Sequence, residues 1–110
     1  DKDYSFSYFC LKMKTKDNIL QVLKSSKPEF HQLGIRELGL FGSYVKGNES
    51  TDSDIDILID FDPKKENFDN FMAAYDLFEE LFKDEKIEVV TKKGLSPYIG
   101  PAILKEVIYV

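Results

Sequence analysis

The chain has 110 residues, which suffices for one domain with a modest hydrophobic core. Its net charge of −5 argues against a broad basic surface, so we expect no long nucleic acid as a substrate. The single cysteine excludes an internal disulfide and is typical of a reducing compartment. The sequence has no membrane-length apolar run and no secretory signal, so a cytoplasmic protein without membrane contact is predicted.

The first residues form a segment apart from the rest. Residues 1–12 alternate aromatic and small side chains only weakly, and Met13 offers a natural start. We interpret residues 1–12 as an N-terminal extension of cloning-derived or disordered sequence, and residues 13–110 as the domain. The alternative is an aromatic arm that docks on a partner.

The first half of the domain predicts two helices and a strand. Residues 15–25 have the apolar spacing of a helix, and Thr15 can cap its N-terminus. Pro28 favours the first turn of a second short helix, which Gly34 closes. The apolar run Ile35–Phe41, bounded by glycine, predicts a buried strand.

The second half predicts two more strands separated by a long helix. Ile55–Phe61 and Lys86–Thr91 are apolar runs typical of strands. Between them, residues 67–83 have helical spacing with Asn67 as cap, and their predicted core face contains Phe68, Phe71, Met72, Tyr75, Phe78 and Phe82. Gly100-Pro101 is expected to interrupt the last helical region, and the apolar tail packs on the sheet or meets a partner. We therefore predict an α/β (α+β) fold.

Two carboxylates stand at the head of the second strand. Asp54 and Asp56 are two residues apart, so they project from the same face with Cα atoms roughly 6.5–7 Å apart. Neighbouring carboxylates repel each other unless a cation compensates. Mg²⁺ is typically held by one or two carboxylates together with substrate phosphates, so the pair predicts a magnesium site. The competing interpretation is that both are ordinary strand-entry residues.

A glycine-serine turn follows the first strand. We expect Ser43 to cap a short helix over residues 44–46, whose free N–H groups and dipole attract an anion. Gly42 lets a phosphate approach the backbone closely. Lys46 either reaches that phosphate or is a solvated cation at the helix end.

Gly42-Ser43, Gly47 and Asp54-Ile55-Asp56 resemble the G-S…G…D-x-D signature of the polymerase-β-like nucleotidyltransferases. The chain from about Lys14 to Val110 is similar to their minimal branch, many of whose members are antitoxins paired with a HEPN-domain toxin. The resemblance implies a small mixed sheet with helices packed on it.

The resemblance also implies the site. Asp54, Asp56 and Glu88 would be the catalytic acids and would hold two Mg²⁺ ions. Glu88 stands where most relatives have Asp, and it is otherwise an edge-strand residue that faces water. Gly42, Ser43 and Lys46 would bind the nucleotide, with Lys46 in place of the usual Arg.

By the same resemblance, the expected activity is transfer of AMP from ATP to a hydroxyl. The expected acceptor is a tyrosine of the HEPN ribonuclease toxin, and this modification would silence the toxin. Two alternatives stay open. A catalytically weak antitoxin would act by binding alone, or the enzyme would modify a small molecule such as an aminoglycoside.

Overall fold

We describe the protein from a computed structural model, in which residues 15–49, 53–83 and 85–110 are described. The predicted extension over residues 1–12 lies outside these ranges. Within them, no helix combines the length and the apolar character needed to span a bilayer.

The described residues contain a four-stranded mixed sheet in the order β3-β2-β1-β4. Strand β1 (Ile35–Phe41) pairs antiparallel with β2 (Ile55–Phe61), and β3 (Ile87–Thr91) pairs parallel with β2. A short strand β4 (Ile108–Tyr109) pairs antiparallel with β1. The predicted α/β class and mixed sheet are confirmed, and the apolar tail contributes a fourth strand in addition to the three expected.

Five helices in the described residues connect and flank these strands. They are α1 (Lys16–Ser25), α2 (Lys27–Gln32), α3 (Ser43–Lys46), α4 (Phe68–Leu81) and α5 (Gly100–Glu106). The 14-residue helix α4 forms the crossover that two parallel strands require, since a tight turn cannot join them.

Two helix starts follow directly from local chemistry. The Thr15 side chain accepts a hydrogen bond from the Asn18 N–H at 3.2 Å, and the Asn67 side chain accepts one from the Asn70 N–H at 2.8 Å. Each bond satisfies an N–H group that has no partner within its helix, so both predicted caps are confirmed.

The core lies between the helices and the two central strands. In β2, only Asp56 and Asp60 are not fully buried, as expected for a strand with neighbours on both sides. Phe30 of α2 stacks on Phe78 of α4 with ring centroids 4.4 Å apart, which fixes these helices against each other.

The predicted apolar face of α4 is wrong at two positions. Phe68 is 75% exposed and Met72 is 38% exposed, whereas Ala74 and Phe78 are fully buried. At 100° per residue, Met72 lies about 120° around the helix from Phe78, outside the stripe that meets the core. Leu77 and Leu81 are partly buried against that core instead.

The expected interruption at Gly100-Pro101 is also wrong. Gly100–Glu106 is one continuous helix, with Pro101 in its first turn. Proline is tolerated there because its missing N–H would have no intrahelical partner anyway.

Candidate active site

The sheet register brings Asp56 and Glu88 together. In the parallel pairing of β2 with β3, Asp56 lies directly opposite Glu88, so their side chains emerge on the same face of the sheet. The Ile55 N–H donates to the Lys86 carbonyl at 2.8 Å, which fixes the start of β2 beside the start of β3. Asp54 immediately precedes this anchored residue and is half-buried.

The electrostatics of this group of acids centre on Asp56. Burial, followed by the charge of Glu88 and a hydrogen bond with it, raises the pKa of Asp56 from 3.8 to about 6. The charges of Asp54 and Glu106 contribute further in the same direction. The charges of Asp54, Glu88 and Glu106 therefore all act on Asp56.

The turn after β1 lies against the same carboxylate. Phe41 is the antiparallel partner of Asp56, so Gly42 begins its turn beside this side chain. Gly42 has φ 84° and ψ −153°, a conformation that is essentially restricted to glycine. A Cβ atom at Gly42 would overlap the Asp56 carboxylate, so the close approach of turn and acid requires glycine.

The predicted capping role of Ser43 is wrong. Gly42 is the N-cap of α3, and no side chain caps this helix. Ser43 already belongs to the helix, and the N–H groups of Val45 and Lys46 donate to the Gly42 carbonyl at 3.0 Å each. The positive φ of Gly42 makes the sharp turn, which leaves the Ser43 hydroxyl outside the cap position.

Lys46 lies at the other end of this single helical turn. Its side chain is 57% exposed, and its Nζ is 3.6 Å from Oε1 of Glu106. Glu106 Oε2 also accepts a hydrogen bond from the Gly42 N–H at 2.6 Å. Glu106 is thus a further acid of the site, and no motif signals it in the sequence. Its place in the site could be predicted only from the pairing of the C-terminal tail with β1.

Glu88 itself is exposed on β3, which is an edge strand of the sheet. Within residues 15–49, 53–83 and 85–110, no three acidic, cysteine or histidine side chains meet as a ready-made metal site. The charged groups that act on Asp56 are nevertheless carboxylates, whose oxygens are the ligand type that Mg²⁺ prefers.

Comparison with known proteins identifies the family. Residues 17–110 match the sequence profile of the nucleotidyltransferase domain. This chain belongs to the nucleotidyltransferase domain family. The predicted resemblance and enzyme class are therefore confirmed.

Two curated relatives cover nearly the whole domain. The nucleotidyltransferase is 37% identical over 101 residues to protein adenylyltransferase MntA of Thermococcus cleftensis, a match that spans 89% of this chain and 98% of the relative. It is 34% identical over 102 residues to MJ1379 of Methanocaldococcus jannaschii, named as a candidate protein adenylyltransferase, with 89% and 100% coverage.

Solved structures share the fold of this nucleotidyltransferase. A minimal nucleotidyltransferase superimposes with a TM-score of 0.65 at 24% identity, covering 81% of this chain and 93% of that chain. A toxin-antitoxin crystallised with AMP-PNP superimposes with a TM-score of 0.54 at 23% identity, covering 83% and 68% respectively. The predicted nucleotidyltransferase fold is confirmed by the first of these.

Proposed function

We propose that this nucleotidyltransferase transfers AMP from ATP to a tyrosine hydroxyl of a partner HEPN ribonuclease toxin, and thereby neutralises the toxin. The observation that carries this proposal is the register that sets Asp56 opposite Glu88, with the Gly42 turn beside them. The names of the relatives supply the reaction class, protein adenylylation. The fold shared with a toxin-antitoxin crystallised with AMP-PNP agrees with a nucleotide and a toxin as partners.

In this proposal, Asp54, Asp56 and Glu88 would hold two Mg²⁺ ions through their carboxylate oxygens. The raised pKa of Asp56 agrees with the assignment: burial is its largest cause, and the charges of Glu88, Asp54 and Glu106, which a bound cation would offset, add to it. When bound, the ions would neutralise charge on the phosphates and stabilise both the attacking and the leaving oxygen.

The residues of the chain then position the reactants. Gly42 and Ser43 anchor the outer phosphates at the turn, and Lys46 adds a positive charge at the end of α3. The tyrosine oxygen attacks the α-phosphorus and forms a new P–O bond. The bond between the α-phosphorus and the bridging oxygen breaks, pyrophosphate leaves, and Glu88 accepts the phenolic proton.

One specific observation favours a second candidate function, neutralisation by binding alone. Glu88 is an exposed residue of an edge strand, and it is a glutamate where the family resemblance implies an aspartate. A site weakened at this position would leave an antitoxin that acts through contact with its partner.

The test is transfer of label from ATP, radioactive at the α-phosphate, to the co-purified partner protein in the presence of Mg²⁺. We expect label on the partner with the wild type and none with Asp54→Asn. Glu79→Gln, an exposed change on α4, is the matched control and should transfer normally. Absence of label with folded protein, while Asp54→Asn still neutralises the toxin, would establish binding alone. Modified antibiotic without modified protein would indicate a small-molecule acceptor.

A further inference from the structure

Glu106 contacts two of the three residues that the proposed function assigns to the nucleotide. Its Oε2 accepts the Gly42 N–H at 2.6 Å, and its Oε1 is 3.6 Å from the Lys46 ammonium. The Glu106 side chain is only 19% exposed, so this contact is largely shielded from water. A short bond from a backbone N–H to a carboxylate is of the charge-assisted, stronger kind.

The sheet explains how Glu106 reaches this position. Strand β4 pairs with β1 such that Ile108 lies opposite Leu40, and Tyr109 lies opposite Gly39. Glu106 is the last residue of α5, two positions before β4, so this pairing brings it to the end of β1, where its side chain reaches the Gly42 N–H. The Val110 N–H also donates to the Leu38 carbonyl at 2.9 Å, which ties the end of the tail to the same strand.

Gly42 is consequently held from two sides. The Asp56 carboxylate lies so close to its Cα that no Cβ would fit, and Glu106 binds its N–H group. The hydrogen bond to Glu106 therefore adds a restraint on the turn to the one that the pairing of Phe41 with Asp56 supplies.

We propose that Glu106 is a positioning residue of the nucleotide site, which fixes the Gly42 turn against Asp56 and orients Lys46. The inference rests on the proposed function, because the turn matters only if it binds the phosphates of a nucleotide. Glu106 acts through Gly42 and Lys46 and does not itself contact the reacting atoms.

The two contacts respond differently to substitution. Glu106→Gln retains a side-chain oxygen that can accept the Gly42 N–H, but it loses the charge that faces Lys46. Glu106→Ala loses both contacts. If the hydrogen bond to the turn is what positions the site, the glutamine variant should bind ATP nearly as well as the wild type, and the alanine variant should not.

The experiment measures ATP affinity by calorimetry in the presence of Mg²⁺, on the full chain and without any partner. We expect Glu106→Ala to bind ATP about tenfold more weakly, equivalent to about 1.4 kcal/mol, and Glu106→Gln to stay within about threefold of the wild type. In the transfer assay, Glu106→Ala should raise KM for ATP while KM for the partner protein stays unchanged, a split that general loss of folded protein would not produce.

Lys105→Ala is the matched control, since it is an exposed change one residue away on α5. Wild-type affinity in Glu106→Ala would overturn the positioning role and leave the proposed function intact. Equal weakening in the glutamine and alanine variants would also overturn it, because charge and not the hydrogen bond would then be decisive. A wild-type chain that binds no ATP would instead overturn the proposed function.

Discussion

Replacement of Gly42 by alanine tests whether the turn and the acid on β2 are built as one unit. The chain offers an internal control in Gly47, which also has a positive φ, of 79°. A Cβ at Gly47 would meet no atom within 4 Å, whereas one at Gly42 would overlap the Asp56 carboxylate. Both substitutions therefore strain the backbone, but only Gly42→Ala also creates a steric conflict.

The expected magnitudes follow from these two contributions. Gly47→Ala places alanine in the left-handed region, which costs about 1–2 kcal/mol of the free energy of unfolding. Gly42 lies in a region essentially restricted to glycine, at a cost of about 1–3 kcal/mol. The overlap with Asp56 adds about 1–3 kcal/mol, as in an overpacked core. Gly42→Ala should therefore cost about 2–6 kcal/mol in total.

Urea denaturation followed by circular dichroism measures both variants against the wild type. The double variant Gly42→Ala with Asp56→Ala isolates the overlap, because removal of the carboxylate should recover about 1–3 kcal/mol relative to the sum of the single changes. Equal costs for Gly42→Ala and Gly47→Ala, or strict additivity in the double variant, would refute the close approach of turn and acid.

Three further outcomes follow from the site. The pKa of Asp56 is raised from 3.8 to about 6, so its ionisation increasingly destabilises the folded protein as pH rises from about 4 to 6. Because the group is partly exposed, we discount the shift to about 1 kcal/mol at pH 7. In metal-free buffer, the melting temperature of Asp56→Asn should be about 4 °C above that of the wild type at pH 7, and the two should be the same at pH 4. A difference that stays constant across pH would contradict this. Glu88→Gln should slow AMP transfer by about 100-fold, as expected for loss of a carboxylate that would both hold Mg²⁺ and accept the phenolic proton, and an unchanged rate in single-turnover assays would exclude both roles. Lys46→Met should weaken ATP binding about threefold at low salt and less at 0.5 M salt, since its side chain is 57% exposed, and a salt-independent effect would show that the ammonium does not act by charge.

Much of the fold was predictable because the apolar runs, turns and helix caps in the sequence indicate the same elements that burial in the core requires. The strands Ile35–Phe41 and Ile55–Phe61 have the predicted ends, since both are apolar runs that a glycine turn or a pair of acids delimits. Thr15 and Asn67 cap their helices as expected, because capping depends only on residues three positions away.

The features that the sequence did not predict depend on contacts between residues that are far apart in the chain. The tail becomes the strand β4 because it pairs with the edge of β1 that β2 does not occupy. A strand of two residues is too short to show an alternating pattern in the sequence, so it was not predicted. The same pairing brings Glu106 to Gly42, 64 residues away in the chain. Met72 looked like a core residue by spacing alone, since the width of the buried stripe on α4 depends on the surface it meets.

The acids on β2 and β3 and the Gly42 turn should act together as one site for AMP transfer. The most direct measurement is mass spectrometry of the partner protein after incubation with the enzyme, ATP and Mg²⁺, alongside Asp56→Asn and the control Glu79→Gln. We expect a mass increase of one AMP group on a partner tyrosine with the wild type and the control, and none with Asp56→Asn. An unmodified partner with all three folded proteins, or equal modification by Asp56→Asn, would contradict it.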